Sequence, residues 1–284
     1  MRRSHFILIK SVICVLLYLL ILGGRANVFA GETVRINGSG TAMKVMEPLI
    51  AAYAKSHPGV MIEMHKPLGS AGALKALKAG VIDIAVTSRP LKPGEAVWGL
   101  KFRAFGKTPL AIVTGKGVAQ KNILTGELEA IYSGVTRKWA NGEVIRVVLR
   151  PREDIDTMTL RGLSPGMDKA MSEAQKRQGM IMAVTDPESN EMMLKTAGSI
   201  GASGLAGIMV DKLPLNILSL NGVMPTPAAL AQGRYPIAKD IDFVTTDKLP
   251  DAASKFLEFV YSERGCAIVK KFGVLLKADR NAPI

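Results

Sequence analysis

The 284-residue chain is long enough for one large domain or two small ones, and its 48% hydrophobic residues suffice for a packed core, which excludes an intrinsically disordered protein. A formal charge of +13 comes with only 5% aromatics and no basic tract interleaved with them, which argues against nucleic acid as a partner and leaves a field suited to small anions or an acidic surface. Three histidines, one of them in the leader, leave little material for a histidine metal site or a catalytic triad.

Residues 1–30 read as a signal peptide. Arg2, Arg3 and Lys10 form a positive start, residues 13–22 an apolar stretch, and Val28-Phe29-Ala30 a small-residue cleavage site, with cleavage expected near Ala30. The apolar run of 11–22 is short for a membrane helix of about 20 residues. Removal of the leader, which carries four basic residues and no acids, leaves 33 basic against 24 acidic residues, or +9. It also removes Cys14, so Cys266 remains alone, without a disulfide partner, as a small buried hydrophobe. The chain is expected to be periplasmic or otherwise secreted.

The first expected strand, 33–36, feeds Asn37-Gly38-Ser39-Gly40-Thr41-Ala42, and a helix follows with apolar residues at Met43, Met46, Leu49, Ile50 and Tyr53. Free N–H groups, the helix dipole, close-approaching glycines and two hydroxyls make that turn an anion seat, although an ordinary N-cap has the same composition. A second strand, 60–64, leads to Leu68-Gly69-Ser70-Ala71-Gly72 and another helix. A third, 82–86, ends at Thr87-Ser88-Arg89. Three strand ends carrying Ser or Thr with Gly or Arg strengthen the reading as a site, since ligands in open α/β sheets bind at the carboxyl ends of strands.

A long strand over 102–114 suits a crossover to a second lobe. Residues 124–132 read as a helix, 144–149 as a buried strand, and Arg150-Pro151-Arg152-Glu153-Asp154-Ile155-Asp156-Thr157 as a loop opening a helix capped by Asp156 or Thr157. The two arginines make a second electropositive seat, or else a solvated loop in which Arg150–Asp154 and Arg152–Glu153 neutralise each other. Further helices are expected over 166–178, 187–196, 228–232, 252–261 and 263–271, and strands over 205–210, 215–220 and 242–246. His57 and His65 lie outside all the candidate turns.

In their order, these segments resemble the phosphate-binding solute receptors of ABC uptake systems, a type II periplasmic binding protein family, over nearly the whole chain from about Thr33. The resemblance rests on Gly38-Ser39-Gly40-Thr41-Ala42, Leu68-Gly69-Ser70-Ala71-Gly72 and Asp83-Ile84-Ala85-Val86-Thr87-Ser88-Arg89-Pro90-Leu91. It continues through Leu124-Thr125-Gly126-Glu127-Leu128, Ile131-Tyr132-Ser133-Gly134, Trp139, Gly233-Arg234-Tyr235-Pro236-Ile237 and Phe259-Val260-Tyr261-Ser262-Glu263-Arg264-Gly265. It implies an α/β fold of two interleaved lobes, each a mixed sheet flanked by helices, joined by crossover strands. The expected division is 31–114 for the first part of lobe one, 115–212 for lobe two, and 213–284 for the return to lobe one. It further implies capture of phosphate between the lobes by Gly40, Thr41, Ala42, Ser70 and Ser88 on one side and Arg150, with Arg152 as competitor, Asp154, Asp156 and Thr157 on the other. No catalytic residue, metal or cofactor is implied. The implied partners are the anion and the membrane subunits of an ABC permease, with the receptor itself a monomer.

The second-lobe turn departs from the family pattern. Ile155 stands where the family has serine, and Asp154 and Asp156 stand in place of glycines, so carboxylates approach the anion. Another tetrahedral oxyanion or a small phosphorylated solute is therefore an alternative, as is delivery to a sensor instead of a permease. An exported phosphatase would need a nucleophile with its base, or a metal site, and the sequence shows neither.

Overall fold

The computed structural model describes residues 32–278; the expected leader and cleavage site lie outside them. Strand β1 (Glu32–Gly38) leads into helix α1 (Gly40–Ala54), β2 (Val60–Met64) into α2 (Gly69–Lys78), and β3 (Ile84–Thr87) into the single turn α3 (Pro93–Ala96). The long strand β4 (Lys101–Thr114) is followed by β5 (Asn122–Ile123), α4 (Thr125–Ser133), β6 (Arg146–Leu149), α5 (Ile155–Arg161), α6 (Pro165–Lys176), β7 (Ile181–Met182), α7 (Asp186–Lys195), β8 (Ser199–Gly204) and α8 (Leu205–Asp211). The chain continues through β9 (Asn216–Ile217), β10 (Ser219–Leu220), α9 (Pro227–Ala231), β11 (Ala238–Thr245), α10 (Asp251–Tyr261), α11 (Glu263–Lys270) and β12 (Leu275–Leu276).

One mixed sheet in the order β2-β1-β3-β11-β4-β8-β6-β7 runs through the molecule. Strand β1 is parallel to β3, and β6 is parallel to both β7 and β8, as strand–helix–strand units require. Antiparallel pairing enters through β4 and β11. The first part of β4, Lys101 to Pro109, pairs with β11, and its last five residues, Leu110 to Thr114, pair with β8. A single strand thus belongs to both halves of the sheet, which gives the expected crossover its physical form.

Alternation along the strands explains why helices cover both faces. In β3, Ile84 and Val86 face a core built with α1, α10 and α11, while Ala85 faces a smaller cluster with Leu74 and Leu77 of α2. In the other half, Leu110 and Ile112 of β4 and Val147 and Leu149 of β6 face α4 and α6, while Ala111, Val113 and Val148 face Met193 of α7 and Ile208 of α8. Both faces of each half are therefore apolar, as in parallel α/β sheets. Cys266 is free and sits in the first of these cores.

Three expectations need correction. Residues 205–210 are helical, and the strand is the preceding Ser199–Gly204. A six-residue apolar run fits either state by pattern alone. Here the Thr108 hydroxyl accepts a hydrogen bond from the Ala206 N–H at 3.0 Å and fixes the helix start. Helix α5 begins earlier than expected, and Asp154, not Asp156 or Thr157, caps it, accepting from the Asp156 N–H at 2.9 Å. Finally, the segment after residue 213 does not rejoin the first half directly. Leu218, Leu220, Ala229, Tyr235 and Ile237 pack into the α4–α6 core, and the return is made by β11.

Candidate functional site

The first turn forms as its composition demands. Ser39 is in extended conformation, and its hydroxyl accepts from the Ala42 N–H at 3.4 Å, the N-cap geometry. Gly38 lets β1 lie against β3, because a β-carbon there would sit 2.0 Å from the Val86 carbonyl oxygen. Asn37 then ties the second turn to the first. Its Oδ1 accepts from the N–H groups of Gly38 at 2.8 Å and Leu68 at 2.9 Å. The third strand end joins them: the Ser70 hydroxyl accepts from the Ser88 N–H at 3.0 Å, and the hydroxyls of Ser39 and Ser88 touch. The hydroxyl-bearing ends of β1 and β3 and the start of α2 thus form one connected group.

The facing side is built by β6, α5 and α7. Arg150, at the end of β6, is buried and donates to Asp154 Oδ2 at 2.6 Å. Its Nε and Nη1 are buried without a protein partner. Arg152, its sequence competitor, is exposed. The Thr157 hydroxyl donates to the Arg150 carbonyl at 3.1 Å, so it braces the arginine's backbone.

Between the two sides lies a cleft of about 250 Å³, lined by Ser39, Gly40, Ser70, Arg89, Arg150, Asp154, Ile155 and Asp186 among others. Of the residues expected to bind an anion, Gly40, Ser70, Arg150 and Asp154 line it. Thr41, Ala42 and Ser88 lie buried immediately behind its first wall, and Asp156 and Thr157 behind the second. Arg89 is held by Glu95 through two hydrogen bonds of 2.7 and 2.6 Å, so its charge is largely satisfied within the wall.

Two residues of the cluster are not among those expected from the sequence. Asp186, the first residue of α7, reaches the N-terminus of α1, where its carboxylate accepts from the Thr41 N–H at 3.3 Å and the Thr41 hydroxyl at 3.2 Å. Lys239 of β11 is fully buried; its ammonium lies 2.5 Å from Asp186 Oδ1 and 2.7 Å from Asp156 Oδ1, the latter an ion pair off the line of a hydrogen bond. Lys239 had a legible signal. It shares the inward parity of Ile237, Ile241 and Phe243, so strand alternation places it inside. Asp186 had none, because an acid at the start of a helix is common for dipole reasons alone.

The cluster divides its protons unequally. Burial pushes Asp156 up to about 7, and the attraction of Lys239 recovers only part of that cost. Burial also opposes charge on Asp186, but Lys239, Arg150 and the Thr41 hydroxyl outweigh it and hold its carboxyl down to about 2. With Asp156 protonated, Asp154 and Asp186 balance Arg150 and Lys239. The folded protein keeps a proton on Asp156 that the unfolded chain releases near 3.8, so this group lowers stability as pH rises from about 4 to about 7. Asp242, which burial raises to about 6, acts the same way over a narrower window, whereas the stabilisation from Asp186 is lost only as pH falls from about 4 towards 2. Thermal unfolding followed by circular dichroism should show a midpoint that falls between about pH 4 and pH 7, and Asp156→Asn should reduce the fall.

His57 stacks on Tyr53 with ring centroids 3.8 Å apart, away from the cleft. Among the described residues, no group of three or more His, Cys, Asp or Glu is placed to hold a metal ion, and no helix is long and apolar enough to cross a membrane.

Known proteins resemble this chain in sequence and in fold. The phosphate-binding protein PstS of Borreliella burgdorferi is 28% identical over 252 residues, covering 86% of this chain and 90% of the relative. PstS of Bacillus subtilis is 24% identical over 247 residues, covering 82% and 77%. The crystal structure of a putative phosphate ABC transporter substrate-binding protein with bound phosphate, from Clostridium perfringens, shares the fold with a TM-score of 0.74 at 22% identity, covering 87% of this chain and 100% of that one. An ABC-type phosphate transport receptor from Vibrio cholerae gives 0.60 at 21% identity, covering 87% and 100%. A family model described as the PBP superfamily domain matches residues 25–264, and the chain belongs to that family.

Proposed function

We propose that the protein is an extracytoplasmic solute-binding protein that captures inorganic phosphate in the cleft and presents it to the membrane subunits of an ABC transporter. The observation that carries this reading is Arg150, a buried guanidinium with two unpartnered nitrogens, facing the hydroxyl-bearing turns of α1 and α2 across the cleft. A permanently charged, planar donor opposite a helix N-terminus suits a tetrahedral oxyanion, which can accept from both sides at once. The named relatives are phosphate-binding proteins, and a binding role needs no nucleophile.

On this reading residues 1–30 are the export signal. The first-half cores and the α4–α8 cores are the two lobes. The chain leaves the first along β4, and it re-enters through β11 and not at residue 213, because residues 218–237 pack with the second. Phosphate binding would be felt by Gly40, Ser70, Arg150 and Asp154 in the cleft wall, and by Thr41, Ala42, Ser88, Asp156 and Thr157 as their support. The cleft itself favours one alternative. Its volume of about 250 Å³ is that of several waters at about 30 Å³ each, so a small phosphorylated solute also fits.

A thermal-shift titration tests the reading. Phosphate at a hundred times its dissociation constant should stabilise the protein by about 2.7 kcal/mol and raise the midpoint visibly. No shift with phosphate, sulfate or arsenate would refute it.

A further inference from the structure

The seat expected to hold the anion already holds one, and it belongs to the protein. Thr41 gives both its N–H and its hydroxyl to Asp186, a residue 145 positions away on the opposite side of the cleft. Gly40 makes room for that carboxylate, since a β-carbon at position 40 would lie 2.5 Å from Asp186 Oδ2. Lys239 holds the other edge of the same carboxylate, through Oδ1 at 2.5 Å, and Arg150 Nη2 stands 4.0 Å from Oδ2. The carboxylate therefore fills the position at the head of α1 that the helix dipole favours for a negative charge. It also links α1, packed in the first half, to α7, packed in the second.

We propose that Asp186 is an internal competitor for the phosphate seat. It occupies the head of α1 when no ligand is bound, keeps the two halves together, and is exchanged for phosphate on capture. This rests on the phosphate reading of the cleft. In the exchange, phosphate takes the Thr41 N–H and hydroxyl together with the free nitrogens of Arg150. Asp186 keeps its ion pair with Lys239, so no charge is left buried alone. The groups that hold the carboxylate are Thr41 from α1, Lys239 from β11 and Arg150 from the end of β6, and the Asp156 carboxyl of α5 meets the same Lys239 ammonium. The affinity seen by free phosphate is then its affinity for an empty seat, reduced by the occupancy of Asp186.

The test uses wild-type protein, Asp186→Ala and Gly40→Ala. Gly40→Ala retains every charge and expels Asp186 from the seat by overlap. Inorganic phosphate affinity is measured by calorimetry for wild type and Asp186→Ala, and the radius of gyration without ligand is measured by small-angle X-ray scattering for all three. Asp186→Ala is expected to bind phosphate at least about tenfold more tightly than wild type, since the competing state is removed. Both variants are expected to be more expanded than wild type in the absence of phosphate. Unchanged radii in both variants would overturn the proposal. Weaker or equal phosphate binding by Asp186→Ala would overturn it too, since it would make Asp186 a ligand to the anion or a bystander. If neither wild type nor Asp186→Ala bound phosphate while both variants expanded, the phosphate reading would fail and the internal contact would stand.

Discussion

Arg150→Ala is expected to weaken phosphate binding by about thirty-fold or more, because truncating one partner of a buried, hydrogen-bonded charge pair costs about 2–5 kcal/mol. Arg150 is the cation whose unpartnered nitrogens are buried beside the cleft, and the exposed Arg152 has no such environment. Arg152→Ala should therefore leave affinity within about threefold, as exposed charges contribute little at short range. Arg150→Lys should recover only part of the loss, since a point charge cannot reproduce a planar two-nitrogen contact. Calorimetric titration of the three variants with phosphate separates these cases. Equal losses at both arginines would mean that long-range attraction, and not a site, governs binding.

The second large effect is on folding. Lys239→Met is expected to destabilise the protein by about 3–5 kcal/mol at neutral pH, the range for breaking a buried ion pair from one side. Lys239 is the fully buried cation that separates Asp186 from Asp156, and methionine leaves both carboxyls facing a dry interior. At about 2–4 °C per kcal/mol for a chain of this size, the unfolding midpoint should drop by roughly 6–20 °C. The deficit should shrink towards about pH 5, where Asp156 carries its proton with or without the lysine. Adding Asp186→Asn should restore part of the loss, because it removes the carboxylate left without its buried cation, whereas Asp156 without Lys239 keeps its proton. Circular dichroism melts of the single and double variants read this directly. A Lys239→Met midpoint equal to wild type would show that the three charges are not a coupled unit.

How much of this was legible in the sequence depends on the range of the interaction that fixes each feature. The β1–α1 turn was legible because its causes are local: an extended Ser39, a cap three residues on, and apolar spacing along Met43, Met46 and Leu49. The long β4 could be read as a crossover because no other strand approaches its length, but its division between β11 and β8 is a tertiary fact. Residues 205–210 were misread because a short apolar run carries no period. The deciding bond comes from Thr108, 98 positions away. The site followed the same rule. Arg150 was visible at a strand end, whereas the choice between it and Arg152 is made by burial. Lys239 was readable from strand parity and went unread, and Asp186 became significant only through Thr41, which it meets across the fold.

The cleft between Arg150 and the head of α1 is expected to bind inorganic phosphate reversibly. Titration of the wild-type protein with phosphate in a calorimeter, in a buffer free of competing oxyanions, tests it most directly. Saturable binding at one site per chain is expected, weakened in Arg150→Ala and tightened in Asp186→Ala. Absence of saturable heat from wild type and Asp186→Ala alike, in protein that unfolds cooperatively, would contradict it.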